Sequence, residues 1–206
     1  MLTSLASAMP ATDRLRRALE ALSLPASHAP ALAAFTALFQ RWNRSINLSA
    51  ARTEDAIIDH LIDSLHVVPL LRDDTIRRIL DVGAGGGLPA VVAAICLPDA
   101  HITALEPVHK KHAFLRTAAR ELGLPGLEPL ALRIEDHPVC DYDAAMSRAT
   151  FDLRDWLLTA LDHVRPGGLA LGFEAIPRDD LPPGTVRHPY ALDDKTRSVV
   201  VVRRPA

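Results

Sequence analysis

The stretch that decides the fold is Ile79-Leu80-Asp81-Val82-Gly83-Ala84-Gly85-Gly86-Gly87-Leu88-Pro89, in which a short apolar run leads into a glycine cluster and a new helix. Glycines lack a Cβ, so they adopt turns that other residues resist and let backbone amides approach a ligand. The dinucleotide pattern G-x-G-x-x-G would need a third glycine where Leu88 stands, which disfavours that pattern. The stretch predicts a strand, a tight turn and a helix, with or without a ligand. Candidate cofactor contacts are Gly83, Gly85, Gly87 and Leu88.

After this turn, apolar runs alternate with amphipathic segments. The predicted strands are 79–82, 101–106, 127–133, 144–147 and 169–174, and the predicted helices are 89–97, 109–122 and 153–164. This alternation predicts a parallel α/β sheet with helices on both faces. A strand from Thr185, a turn at Asp193-Asp194 and the valine run 198–203 predict an antiparallel hairpin that closes the sheet.

The N-terminal third is predicted to be helical. Helices are expected at 13–22, 31–42 and 53–71, with a polar loop at 42–49. We therefore expect residues 1–72 to form a helical cap and residues 73–206 to form one compact α/β core.

Composition narrows the classes of protein. The chain has 206 residues and a formal net charge of −2, so nucleic acid could be bound only through a local basic patch. The longest apolar run, 90–97, is too short to span a bilayer. No basic residue precedes the apolar part of 1–10, so no signal peptide is predicted and we expect a cytoplasmic protein. Cys96 and Cys140 form no C-x-x-C motif and are expected to be plain thiols.

Glu106 is the second candidate anchor for a nucleotide. It ends the second predicted strand, 19 residues after Gly87. At that distance a nucleotide-binding sheet places a carboxylate that accepts hydrogen bonds from ribose hydroxyls. A solvated acid at a strand end is the alternative.

Further candidates follow the other strands and open the next helix. His109 and His112 lack a suitably spaced third ligand and flank lysines, so no metal site is predicted. Residues 133–136 follow the third strand, where an adenine would lie. Arg148 follows the fourth strand and is either a surface charge or a partner for a ligand carboxylate or phosphate.

Several catalytic motifs are missing from the sequence. There is no Asn/Asp-Pro-Pro-aromatic turn or cysteine nucleophile after the fourth strand, no G-x-S-x-G elbow and no P-loop lysine. These absences argue against methyl transfer to exocyclic amines or to carbon, and against the hydrolase and nucleotide-hydrolysing classes.

An ordered set of short motifs between Trp42 and Glu174 resembles one family. The motifs are Trp42-Asn43-Arg44 with Asn47-Leu48, His60-Leu61-Ile62-Asp63-Ser64-Leu65, Leu80 to Pro89, Lys111 with Phe114-Leu115-Arg116, Glu121-Leu122, Arg133-Ile134-Glu135 and Ser147-Arg148-Ala149. Together they resemble the RsmG (GidB) family of bacterial small-subunit ribosomal RNA guanine-N7 methyltransferases.

The resemblance implies a Rossmann-like methyltransferase that binds S-adenosylmethionine. It implies cofactor contacts at Gly83, Leu88, Ile134, Glu135 and Arg148, with Glu106 on the ribose. The implied partner is 16S ribosomal RNA or a precursor of the small ribosomal subunit, and we expect a monomer. Candidate positioning residues are His60, Asp63, Ser64 and Arg148, and candidate RNA contacts are Arg44, Lys110, Lys111, Arg116 and Arg197.

Three positions depart from the family pattern. Ala90 stands where the family usually has glycine, and Asp59 where a basic residue commonly precedes the motif histidine. The family often has Ala-Leu-Lys-Gly after the fifth strand, whereas here Gly172-Phe173 follows Ala170-Leu171. A methyltransferase of a small molecule or protein, a nicotinamide oxidoreductase and an inactive binder therefore remain alternatives.

Overall fold

The computed structural model describes residues 10–138, 141–192 and 194–206. The helices are α1 (Ala11–Ala21), α2 (Ala29–Ile46), α3 (Glu54–Leu65), α4 (Val68–Leu71), α5 (Ala90–Cys96), α6 (His109–Glu121) and α7 (Leu153–His163), with short 3₁₀ turns at Ala26–His28 and Ile134–Asp136. The strands are β1 (Arg78–Val82), β2 (His101–Leu105), β3 (Leu127–Leu130), β4 (Tyr142–Ser147), β5 (Val164–Glu174), β6 (Val186–Leu192) and β7 (Lys195–Arg203).

All seven strands form one sheet in the order β3-β2-β1-β4-β5-β7-β6. The first five strands pair in parallel, and β7 pairs antiparallel with both β5 and β6. The parallel α/β sheet and its C-terminal hairpin are thus confirmed. The predicted turn residue Asp193 lies outside the described residues, as does Cys140.

Alternate side chains of the strands enter two different cores. On one face Ile79 and Met146 share a hydrophobic cluster with α5, α6 and the N-terminal helices. On the other face Leu80 and Val82 pack with α7, whose Trp156 indole donates a 2.7 Å hydrogen bond to the Leu171 carbonyl. Helices therefore cover both faces, as predicted.

The N-terminal helices form an outer layer over α5 and α6. Phe35 and Phe39 of α2 pack their rings against Phe114 of α6, with centroids 6.2 and 5.8 Å apart. A Cβ built on Gly86 would lie 2.4 Å from Cε2 of Phe39. The second helix therefore packs directly on the glycine turn, which requires glycine there.

Four predicted element boundaries are wrong. Helix α2 continues through most of the predicted loop and ends only at Ile46, and β3 ends at Leu130 rather than 133. The predicted third helix is split into α3 and α4, because Pro69 has no N–H to donate and its ring opposes the carbonyl one turn earlier. Strand β5 begins at Val164 and runs through the glycines expected to stop it, since the Gly167 amide still bonds to the Arg204 carbonyl at 2.9 Å.

None of the helices in the described ranges has the length and apolar character needed to cross a membrane.

Candidate active site

The glycine turn after β1 has a left-handed backbone at three positions. The angle φ is +70° at Gly83, +56° at Gly85 and +80° at Gly87, a region that L side chains rarely adopt. A Cβ on Gly87 would also lie 2.4 Å from Cγ2 of Val91. The Gly83 amide donates to the Leu105 carbonyl at 2.9 Å, which holds the turn against the end of β2.

Glu106 is a buried carboxylate that joins this turn to the start of α6. It is only 3% exposed. Its Oε2 accepts a 2.8 Å hydrogen bond from the Gly85 amide, and its Oε1 accepts one of the same length from the Val108 amide. The solvated-acid alternative is therefore wrong. A carboxylate has about four acceptor sites, so Glu106 keeps capacity for a ligand while it shapes the turn.

Asp81 is a site residue that sequence reasoning missed. It lies within the stretch that decided the fold, but there it counted only as part of a strand. Its Oδ2 accepts a 3.0 Å hydrogen bond from the Ala90 amide, whereas its Oδ1 has no partner among the described residues. Burial raises the pKa of Asp81 to about 7. An unpaired buried carboxylate oxygen is rare and calls for an explanation. Asp81 stands two positions before Gly83, the first glycine of the turn.

Arg148 brings residues of α3 and of the glycine stretch together. Its Nη1 donates to Oδ2 of Asp63 at 3.0 Å and lies 3.4 Å from Nδ1 of His60, while its Nε donates to the Leu88 carbonyl at 3.3 Å. Asp63 is buried with 1% exposure. Arg148 is thus a partly buried, ion-paired group, and the surface-charge alternative is wrong. Burial and the Arg148 cation lower the pKa of His60, so its imidazole is neutral near pH 7.

Two cavities meet at Arg148 and Ala149. The glycine-turn cavity, of about 200 Å³, is lined by the turn itself together with Phe39, Leu48, Lys111 and Thr150. The hairpin cavity, of about 360 Å³, is lined by His60, Asp63, Phe173, Glu174, Tyr190 and Arg197. One arginine therefore stands between a cradle of backbone amides and a separate space under the C-terminal hairpin.

Five of the predicted positioning and cofactor residues line neither cavity: Ser64, Gly87, Glu106, Ile134 and Glu135. Ser64 is fully buried, and its hydroxyl donates to the His60 carbonyl at 2.8 Å, one turn earlier within α3. Ile134 is buried in the α7-side core, and Glu135 lies beside it in the 3₁₀ turn after β3. That turn lies at the carboxyl edge of the sheet, where the sequence placed an adenine contact, and the assignment stays a prediction.

The predicted RNA contacts fall into two groups. Lys111 lines the glycine-turn cavity and Arg197 lines the hairpin cavity. Arg44, Lys110 and Arg116 are exposed on α2 and α6, which pack side by side.

The strand order of the sheet, the glycine turn after β1 and the buried Glu106 together indicate the class of protein. It is a Rossmann-like, S-adenosylmethionine-dependent methyltransferase. The O-methyltransferase TomG from Streptomyces achromogenes, solved in complex with S-adenosylmethionine, shares this fold. It superposes with a TM-score of 0.57 at 14% identity, over 84% of this chain and 90% of TomG.

The particular family follows from sequence comparison. The family described as "GidB: rRNA small subunit methyltransferase G" matches residues 28–179, and the chain belongs to it. The ribosomal RNA small subunit methyltransferase G of Bordetella petrii is 42% identical over 176 residues, which are 82% of this chain and 69% of the relative. That of Azoarcus sp. strain BH72 is 36% identical over 208 residues, or 95% and 97%. The predicted resemblance is confirmed, and the nicotinamide oxidoreductase is excluded.

The residues present fit S-adenosylmethionine. A side chain at Gly85 would enter space that the protein leaves open on this turn, and the unpaired Oδ1 of Asp81 matches the charge of an ammonium group. Glu106 retains acceptor capacity for hydroxyl groups.

Proposed function

We propose that this protein transfers the methyl group of S-adenosylmethionine to N7 of a guanine in 16S ribosomal RNA. The observation that carries the proposal is the pair of cavities joined at Arg148, in a chain of the family described above. The glycine-turn cavity lies on the turn assigned to the cofactor, and the hairpin cavity offers space for an acceptor. When bound, the cofactor supplies an electrophilic methyl group on a positively charged sulfur.

The hairpin cavity suits an acceptor atom that has no proton to lose. Guanine N7 presents a lone pair and carries no proton, so no base has to remove one. His60 and Asp63 are both engaged with Arg148, and Asp63 also accepts from Tyr190. The residues of this cluster therefore orient the acceptor, and the rate gain comes chiefly from positioning.

Cofactor contacts are assigned by their place around the glycine turn. The backbone of Gly83, Gly85, Gly87 and Leu88 holds the amino-acid end, Glu106 binds the ribose, and Ile134 and Glu135 flank the adenine. Asp81 is added as the acceptor for the ammonium group, and Arg148 separates the cofactor from the acceptor.

The proposal extends to the RNA and to the assembly. Arg44, Lys110, Lys111 and Arg116 contact phosphates on the α2–α6 side, where the RNA approaches. The N-terminal cap predicted over residues 1–72 contributes to the site through its described part, because Phe39, His60 and Asp63 line the cavities. The protein acts as a cytoplasmic monomer. In support, the exposed large apolar side chains of the described residues come from separate elements: Val108, Phe151, Leu158, Ile176 and Val186.

Transfer of tritium from labelled S-adenosylmethionine tests this function. Small ribosomal subunits, free 16S RNA, cell protein and small-molecule extracts are offered in parallel, and the labelled nucleoside is identified after digestion. We expect 7-methylguanosine from the RNA or the subunit. Label in protein or in a small molecule instead, or no transfer at all, would contradict the proposal.

A further inference from the structure

The end of β5 departs from its family in a way that the structure explains. A Cβ on Gly172 would lie 2.4 Å from Cδ1 of Leu153 and 3.4 Å from Cδ1 of Trp156. Helix α7 therefore closes the position at which the resemblance places a lysine. The next residue, Phe173, has its side chain on the opposite face of the sheet, where it lines the hairpin cavity.

Phe173 packs partly against the core and partly lines the hairpin cavity. It is half-buried and contacts no other aromatic ring within the described ranges. The other aromatic residue of the cavity, Tyr190, is already engaged: its ring stacks on His66 with centroids 3.7 Å apart, and its hydroxyl donates to Asp63. Of the two rings, Phe173 is the one that a planar ligand can stack on.

Arg197 is the available cation. Its Nη1 lies 3.6 Å from Oδ2 of Asp63, beyond an ordinary hydrogen bond, and a third of its side chain is exposed. Arg148, by contrast, is committed to three partners. The cavity thus combines a half-buried ring that stacks on no other described aromatic ring with a guanidinium that makes no hydrogen bond within the described residues.

We propose that the hairpin cavity is the subsite of the target guanine, in which the base stacks on Phe173 and its O6 accepts a hydrogen bond from Arg197. The inference rests on the proposed function and adds the groups that select the base. Guanine offers O6 and N7 as neighbouring acceptors. Because N7 must stay free to attack, the guanidinium binds O6 alone. A volume of about 360 Å³ lies at the lower end of the range for ligand pockets.

Substitutions at Phe173 separate stacking from packing. Stacking of a base on an aromatic side chain contributes roughly 1–3 kcal/mol, equivalent to about a 5- to 150-fold effect. Phe173→Ala and Phe173→Leu should each lower kcat/KM for the RNA substrate within that range, whereas Phe173→Tyr should retain most of it. Ile176→Ala, an exposed apolar residue three positions on, is the matched control.

Cofactor affinity, measured by calorimetry, and the melting temperature complete the experiment. The subsite is supported if the Ala and Leu variants lose RNA turnover but bind S-adenosylmethionine as the wild type does. It is overturned if Phe173→Leu keeps the wild-type kcat/KM. It is also overturned if the drop in kcat/KM of this variant is matched by a drop in cofactor affinity or in melting temperature.

Mononucleotides test the role of Arg197 directly. Guanosine monophosphate should inhibit methyl transfer more strongly than adenosine monophosphate, which has no O6, and Arg197→Leu should remove the difference. Equal inhibition of the wild type by both nucleotides would overturn the assignment of Arg197. A wild-type protein that methylates no ribosomal RNA would instead contradict the proposed function, so the two failures are distinguishable.

Discussion

The Tyr190 hydroxyl donates a 2.7 Å hydrogen bond to Oδ1 of Asp63, which lies 127 positions earlier in the chain. The other oxygen of Asp63 pairs with Arg148 at 3.0 Å. One buried carboxylate thereby joins the third helix, the loop after β4 and the C-terminal hairpin. Removal of the Asp63 charge should therefore weaken the contacts among these three segments.

Asp63→Asn is therefore expected to lower the free energy of unfolding by about 3 kcal/mol, because breaking a buried pair leaves Arg148 without its counter-charge. Urea denaturation measures the change. Asp55→Asn is the control, since Asp55 pairs with Arg14 on the surface and should cost at most about 1 kcal/mol. Equal losses in the two variants would contradict a central role for Asp63.

Glu106→Ala should weaken the binding of S-adenosylmethionine by about 1.5–3 kcal/mol, the range for hydrogen bonds to a charged group. Its carboxylate also holds the Gly85 and Val108 amides, so the variant should lose some stability but still fold. Calorimetry at matched protein concentrations gives the affinity. Glu128→Ala, an exposed acid at the next strand, is the control. Unchanged cofactor affinity in Glu106→Ala would remove Glu106 from the site.

Arg148→Ala should lower kcat/KM at least about tenfold, or roughly 1.4 kcal/mol, because Arg148 stands between the two cavities. Arg154→Ala removes an equally charged but exposed residue six positions later, after the same strand, and should have little effect. Indistinguishable kinetics of the two variants would show that Arg148 does not serve the reaction.

Asp81 gives a prediction for the pH dependence of stability in the free protein. Its folded pKa is raised by burial to about 7, above the ordinary value of 3.8. The folded state therefore holds a proton that the unfolded state has lost, and the contribution of Asp81 to stability falls as pH rises from about 4 to 7. Asp81→Asn should remove this loss and also weaken S-adenosylmethionine. A variant that binds the cofactor normally would contradict the assignment of Asp81 to its ammonium group.

Local patterns were enough to predict the sheet, because the alternation of strands and helices and the glycine turn each depend on residues that are close together in the sequence. The boundary errors have equally local causes, such as the paired glycines of β5 and the helical continuation through Asn43. The link between Asp63 and Tyr190 could not be predicted, since it depends on how the hairpin folds back over α3. Asp81 was missed for another reason: the sequence does not show that its carboxylate is buried with one oxygen left without a partner.

His60 tests whether the site needs a base. Burial and Arg148 lower its pKa, and its Nδ1 faces the Arg148 guanidinium, so it is neutral and held in place across the physiological range. Because guanine N7 has no proton to lose, His60 should orient the acceptor without taking a proton. In single-turnover experiments with saturating substrate, the rate of methyl transfer should stay nearly flat from about pH 5.5 to 8, a range that crosses the ordinary pKa of histidine near 6.5. Because its pKa is lowered on folding, His60 binds fewer protons in the folded state than in the unfolded state. Its contribution to the free energy of unfolding therefore falls as the pH drops below about 6.5, so the rates must be compared under conditions where the protein stays folded. A tenfold rise in rate through this range, abolished by His60→Gln with cofactor affinity unchanged, would show that a base is required and that N7 is not the acceptor.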